Sequence, residues 1–130
     1  MKSLKRILYV EDDQDISSIA KFTLETIGGF EVDICHSGKE VFEKISEFKP
    51  QLILLDVMMP DMDGPTTLRK LRALPEGKDI PVVFVTARIQ SHQIEEYQEF
   101  GALGTIAKPF DPLTLSTEIE KLWMSYAGRF

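Results

Sequence analysis

The 130-residue chain has few of the features that mark several classes of protein. Its single cysteine, Cys35, excludes an internal disulfide and favours a reducing compartment such as the cytoplasm, where we expect it to be a core residue on a strand. No uninterrupted apolar run approaches the roughly 18 residues that a membrane span requires. The first apolar run, residues 7–10, is also too short for a signal peptide. These absences favour a cytoplasmic protein that does not enter a membrane.

Basic residues are in the minority. The chain has 15 lysines and arginines against 21 aspartates and glutamates, which gives a formal net charge of -6 at pH 7. A dedicated nucleic-acid surface normally shows a basic patch, so we expect no direct contact with nucleic acid. Acidic balance alone indicates little beyond solubility. The positions of the acids are therefore more informative than their number.

Short segments rich in β-branched and aliphatic residues alternate with longer segments of helical periodicity. The predicted strands are 6–10, 32–36, 52–57, 81–87 and 105–107. Parallel strands need crossover connections, and helices must cover both faces of such a sheet. We therefore expect an α/β fold, a doubly wound five-stranded parallel sheet with helices on both faces. Residues 1–130 are expected to form one domain, with no output domain.

Local signals predict where the helices begin and end. Ser37 and Glu40 form a capping-box pattern at the second helix, and the glycines at 28–29 follow the first. Asp111 before Pro112 predicts the N-cap and first turn of the fifth helix. Apolar spacings of three and four predict core-facing stripes on the first helix (Ile16, Ile19, Ala20, Thr23, Ile27) and the fifth (Leu115, Ile119, Leu122, Trp123, Tyr126).

Polar side chains stand where four of the five predicted strands end. They are, in chain order, Glu11, Asp12 and Asp13, then Asp56, then Thr86, and then Lys108. Ligands of an open parallel sheet bind outside the carboxyl ends of its strands, so we expect these side chains to meet at one edge. Asp13 has a plainer interpretation as an acid at a helix start. Asp61 and Asp63 are interpreted as solvated loop residues.

The chemistry of this set points to a metal and a phosphoryl group. Clustered carboxylates repel one another unless a cation lies among them, and a ligand set made only of oxygen suits Mg²⁺ (or Mn²⁺). The Thr86 hydroxyl and the Lys108 ammonium are the groups that a phosphoryl group on Asp56 needs for its remaining oxygens. The pattern therefore predicts an aspartate that is phosphorylated as an acyl phosphate.

Five of these residues in this order resemble the receiver domain of two-component response regulators, in the single-domain form typical of the chemotaxis regulator. Glu11 and Asp12 match the family's acidic pair, and Asp56 matches its phosphoacceptor. Thr86 matches its hydroxyl residue, and Lys108 matches its lysine before a proline. The likeness extends over essentially the whole chain and includes the loop after the third predicted strand.

The resemblance implies further features. They are the flavodoxin-like strand order 2-1-3-4-5, a cis bond between Lys108 and Pro109, and a metal contact from the backbone carbonyl of Met58. It also implies Mg²⁺-dependent transfer to Asp56 from a phosphohistidine on a sensor histidine kinase or histidine phosphotransfer protein. The downstream protein partner is unknown, and we expect a monomer or weak dimer. The chain is then not an enzyme, although it assists its own phosphorylation and dephosphorylation.

One departure from the family leaves alternatives open. Thr105 stands where the family usually has an aromatic residue that turns inward on phosphorylation. The conformational response to phosphorylation is therefore expected to be weaker here or to depend on other residues. One alternative is a degenerate receiver that acts as a phosphorylation-independent interaction module. The other is an aspartate-nucleophile phosphatase, which is disfavoured because Met58, two residues after Asp56, cannot transfer a proton. We also hypothesise that Met58 and Arg88 tune the lifetime of the phosphorylated state.

Overall fold

The computed structural model describes residues 3–87, 91–99 and 101–128, and the side chains of 91–94 are not described. Arg88 lies outside these residues, so the hypothesis about its side chain stays a prediction. The elements in chain order are β1 (Arg6–Val10), α1 (Gln14–Thr26), β2 (Glu31–Cys35), α2 (Gly38–Phe48), β3 (Leu52–Asp56), α3 (Gly64–Arg72), β4 (Val82–Thr86), α4 (Ser91–Glu99), β5 (Ala102–Ala107) and α5 (Leu115–Ala127). None of the described helices is both long and apolar enough to cross a membrane.

All the strand pairs are parallel, and the sheet order is β2-β1-β3-β4-β5. This confirms the predicted fold class and strand order. The chain runs outward from β1 to β2 and then returns past β1 to β3, so the direction of winding changes between β1 and β3. The side chains of β3 and β4 are buried along their whole length, as expected for strands covered on both faces.

Helices cover the two faces of the sheet. On one face, α1 and α5 pack on alternate strand residues through Leu24, Ile119 and Trp123. On the other face, the side chains of α2, α3 and α4 pack on the remaining strand residues, with Leu68 and Tyr97 among them. The alternation of side chains along each strand assigns them to these two cores. Cys35 is fully buried in the second core, as predicted.

Two predicted boundaries were wrong. β5 begins at Ala102, three residues before the predicted start, because a segment of small residues such as Gly104 gives little strand signal. α5 begins at Leu115, and its N-cap is Thr114 rather than Asp111. The Asp111 carboxylate accepts from the Leu113 amide at 2.9 Å, so it closes a turn that precedes the helix. The predicted cis peptide bond between Lys108 and Pro109 is present.

The capping signals of the first two helices were more reliable than the apolar stripe of α1. The Ser37 hydroxyl accepts from the Glu40 amide at the start of α2, and Gly29 follows α1 with a φ of 72°. Ile19 and Ile27, however, are 51% and 52% exposed, although the stripe placed them toward the core. The buried residues of α1 are Ser17, Ala20, Thr23 and Leu24, so Ala20 and Thr23 of the predicted stripe are confirmed. The predicted stripe of α5 is confirmed, with Leu115, Ile119 and Trp123 buried and the other two members packed against them.

Candidate functional site

Three carboxylates meet at the carboxyl edge of the sheet. Glu11 and Asp12 follow β1, and Asp56 is the last residue of the neighbouring strand β3. One oxygen from each of the three lies within 4.8 Å of the others. Glu11 and Asp56 are buried, at 1% and 4% exposure, whereas Asp12 is exposed. The site thus has two carboxylates in the protein interior and one at the solvent side.

Lys108 from the end of β5 contacts both buried carboxylates. Its Nζ pairs with Glu11 and lies 3.2 Å from Oδ1 of Asp56. Burial and the neighbouring Asp56 raise the pKa of Glu11 to about 8, although the ammonium of Lys108 opposes that rise. Burial disfavours the charge on Lys108, but Glu11 and Asp56 outweigh it and raise the pKa of this lysine. One ammonium therefore contacts two buried acids, and together with Asp12 the acids at this edge outnumber it.

Thr86 lies beside Lys108 at the end of β4. Its side chain is buried, and its backbone carbonyl accepts from the Lys108 amide at 2.9 Å. The Val57 amide donates to the Val85 carbonyl at 3.3 Å, so β4 also holds the chain just after Asp56. The sheet hydrogen bonds therefore place the ends of β3, β4 and the residue after β5 next to one another. All five side chains predicted for the site come from this edge.

The aspartates that the sequence left ambiguous have structural roles. The Asp13 carboxylate accepts from the amides of Asp15 and Ile16 and caps α1. Asp63 was interpreted as a solvated loop residue, but its carboxylate accepts from the Thr66 amide at 2.8 Å and caps α3. Asp61 adopts a φ of 68° in the loop between β3 and α3. Neither Asp13 nor Asp63 belongs to the carboxylate group formed by Glu11, Asp12 and Asp56.

His36 and Gly64 lie against the backbone of site residues, although the sequence did not assign them to the site. His36, just after β2, places its Nδ1 3.2 Å from the Glu11 carbonyl, and because a carbonyl only accepts, Nδ1 is the donating nitrogen. At Gly64, an added Cβ would lie 2.4 Å from the carbonyl oxygen of Asp56. A glycine is therefore needed where α3 begins against the end of β3. The proline and glycine of the loop signalled a turn, but nothing in the sequence indicated this close approach.

Met58 is the exposed residue closest in the chain to Asp56. Its side chain is 70% exposed, and its amide lies 3.4 Å from Oδ1 of Asp56 as a weak donor. An apolar groove of about 420 Å³ flanks the site on the side of Lys108 and is lined by Ile16, Ile19, Pro109 and Phe110 among others. The Met58 side chain is thus exposed two residues after Asp56, and a separate apolar groove begins at Lys108.

The ligand chemistry of the edge suits a hard divalent cation. The three clustered carboxylates present only oxygen, and one nearby ammonium does not balance their charge. Mg²⁺ binds through a few carboxylates and completes its shell with water and phosphate oxygens. An arrangement of this kind is able to bind a phosphoryl group between a metal and a lysine.

Comparison with known proteins agrees with this geometry. Residues 7–120 match the family model of the response regulator receiver domain. The chain is 36% identical over 124 residues to the uncharacterized transcriptional regulatory protein YclJ of Bacillus subtilis. The aligned residues cover 93% of this chain and 52% of YclJ. The chain spans about half the length of the first curated relatives it matches.

Solved structures show the same fold. A CheY-like response regulator receiver domain protein from Methanospirillum hungatei has a TM-score of 0.81 and 34% identity, with 97% of this chain and 99% of that chain covered. Chemotaxis protein CheY4 of Vibrio cholerae has a TM-score of 0.84 and 28% identity, with 92% and 99% covered. The chain belongs to the response regulator receiver domain family of two-component systems.

Proposed function

We propose that this receiver domain accepts a phosphoryl group on Asp56 from a phosphohistidine of a sensor histidine kinase or histidine phosphotransfer protein. The observation that supports this most is the position of Asp56. It is a buried carboxylate at the end of a central strand, it is grouped with two other acids, and it lies 3.2 Å from the Lys108 ammonium. Ordinary surface acids have no such surroundings.

The chemical step needs little from the protein beyond placement. A carboxylate oxygen of Asp56 attacks phosphorus, the new P–O bond forms, and the P–N bond to the imidazole breaks. The electron pair of that bond stays on the departing nitrogen. β3 holds Asp56 rigidly, because all its side chains are buried and both neighbouring strands pair with it.

Glu11, Asp12, Asp56 and the backbone carbonyl of Met58 would hold Mg²⁺ (or Mn²⁺). When bound, the metal neutralises charge on the transferring phosphoryl oxygens. Lys108 already contacts Asp56 and is placed to follow the added negative charge, and the Thr86 hydroxyl at the neighbouring strand end would donate to another phosphoryl oxygen. Water then hydrolyses the acyl phosphate and restores Asp56. The chain is thus a phosphoacceptor that assists its own reaction, and not an enzyme for a separate substrate.

Phosphorylation would act as a switch on protein contacts. Moving a two-state equilibrium from mostly one state to mostly the other takes a differential of about 5 kcal/mol. A doubly charged group paired with a metal and Lys108 is of the right order to supply it. The first curated relatives are about twice as long as this chain, so the identity of the downstream partner depends on the protein in which this domain works.

Intact mass spectrometry tests the proposal. We expect wild type, treated with acetyl phosphate and Mg²⁺, to gain the mass of one phosphoryl group. Asp56→Asn should gain nothing, and Asp61→Asn, an acid of the same loop, should behave as wild type. Removal of Mg²⁺ with EDTA should suppress the gain.

Two other outcomes would favour the alternatives. A wild type that gains no mass would support the interaction module that works without phosphorylation. Sustained release of inorganic phosphate from simple phosphate esters would support an aspartate-nucleophile phosphatase.

A further inference from the structure

Strand β5, which ends next to the candidate phosphoacceptor site, contains no aromatic residue. The strand reads Ala-Leu-Gly-Thr-Ile-Ala from 102 to 107, and Thr105 is partly buried. Thr105 is paired in register with Phe84 of β4. Neighbouring residues of parallel strands project to the same face, so Thr105 and Phe84 lie side by side on the face that α4 covers.

An aromatic ring reaches this place from α4 instead. The ring of Tyr97 packs on that of Phe84, with 4.7 Å between ring centroids and 50° between ring planes. Phe84 is fully buried and Tyr97 is 6% exposed. Tilted contacts of this kind are favourable because ring edges and ring faces carry opposite partial charge. The ring that packs on Phe84 therefore comes from α4 and not from the neighbouring strand β5.

The Phe84 and Tyr97 pair is connected to the site along β4. Thr86 follows Phe84 by two residues, so both side chains project to the same face of the strand. Thr86 in turn lies at the edge, where its carbonyl binds the Lys108 amide. A shift of Thr86 toward a group on Asp56 would change the position of Phe84. Because the Tyr97 ring is buried against Phe84, that ring would then have to move as well.

The charge of a residue in the loop that follows Asp56 also acts on Tyr97. Burial raises the pKa of its hydroxyl, and the charges of Glu96 and Asp63 add to that rise. Asp63 caps α3 at the end of this loop. The tyrosine is therefore within electrostatic reach of the segment that begins at the phosphoacceptor, in addition to its contact with β4.

We propose that Tyr97 is the positioning residue that transmits phosphorylation of Asp56 to α4, through its ring contact with Phe84. This rests on the proposed function, since it assumes that Asp56 is phosphorylated. It assigns to a helix residue the role that an aromatic on β5 would otherwise play, and Thr105 becomes dispensable for the response. The surface that changes is then α4, Ser91–Glu99.

Hydrogen exchange of the α4 amides tests the proposal. Beryllofluoride with Mg²⁺ stands in for the phosphoryl group on Asp56, and loading is measured in the same samples by fluorine NMR. In wild type, we expect loading to change exchange in α4 more than in α2. Tyr97→Leu should load as wild type but lose most of the α4 change, whereas Tyr97→Phe should keep it because the ring remains.

Two further variants complete the design. Thr105→Ala should respond as wild type, and Phe84→Leu should lose the α4 change as Tyr97→Leu does. Phe84→Leu removes the ring contact from the other side, so it tests the same link if Tyr97→Leu does not fold. A full α4 change in folded Tyr97→Leu or Phe84→Leu, or loss of the change in Thr105→Ala, would overturn the proposal. Failure of wild type to load would instead overturn the proposed function and this proposal with it.

Discussion

Asp12 and Asp13 are adjacent in the chain but have different surroundings. Asp12 places a carboxylate oxygen within 4.8 Å of oxygens from Glu11 and Asp56, whereas Asp13 bonds the first free amides of α1. The charge of Asp12 is expected to affect metal affinity, whereas the Asp13 carboxylate stabilises the start of α1 as a hydrogen-bond acceptor. The two residues therefore form a matched pair for experiment.

We expect Mg²⁺ to raise the melting temperature of wild type, because a ligand that binds only the folded state stabilises it by mass action. Asp12→Asn should abolish most of that gain. Asp13→Asn should retain it, since asparagine is as good an N-cap as aspartate. Thermal melts with and without Mg²⁺ measure both effects. An unchanged gain in Asp12→Asn would show that this residue is not a ligand.

Glu11 should make the metal-free protein less stable as pH rises. Its pKa is raised from 4.5 to about 8 in the folded state, so the folded state holds a proton that the unfolded state releases. The associated stability is complete below pH 4.5 and is lost as pH rises toward about 8. Urea titrations in EDTA across this range should show the loss in wild type. Glu11→Gln should show a flatter profile, and equal slopes would contradict the assignment.

At the scale of elements, the central strands were more predictable than the face of α1. A strand covered on both sides needs only a continuous apolar segment, and β3 and β4 have one. The face of α1 depends on how it crosses the sheet, and Ile19 lies at the apolar groove rather than in the core. Tertiary packing determines which face of α1 is buried, and helical periodicity alone does not predict it.

The N-cap of α3 gives a prediction at this scale. Asp63→Ala removes the acceptor for the Thr66 amide, so we expect the free energy of unfolding to fall by about 1 kcal/mol. Stabilisation by Mg²⁺ should persist, because Asp63 is not part of the carboxylate cluster. Asp61→Asn is the matched control, since asparagine also tolerates its positive φ. Loss of the Mg²⁺ effect in Asp63→Ala would place this acid in the metal site.

At the scale of the whole molecule, the site exists because strands distant in the chain end at one edge. Alternating strands and helices predicted a parallel sheet, and the strand ends then indicated Glu11, Asp12, Asp56, Thr86 and Lys108. The strand order came from the family resemblance, since periodicity does not specify which strands are neighbours. The supporting contacts of His36, Gly64 and Tyr97 depend on three-dimensional packing, and no local pattern marks them.

The central claim is that Asp56 itself becomes an acyl phosphate. Borohydride reduces an acyl phosphate to an alcohol, so peptide mass spectrometry after reduction identifies the modified aspartate. We expect homoserine at position 56, and at no other acid, in wild type treated with acetyl phosphate and Mg²⁺. Homoserine at Asp12, Asp61 or Asp63, or none anywhere after a measured mass gain, would contradict the claim.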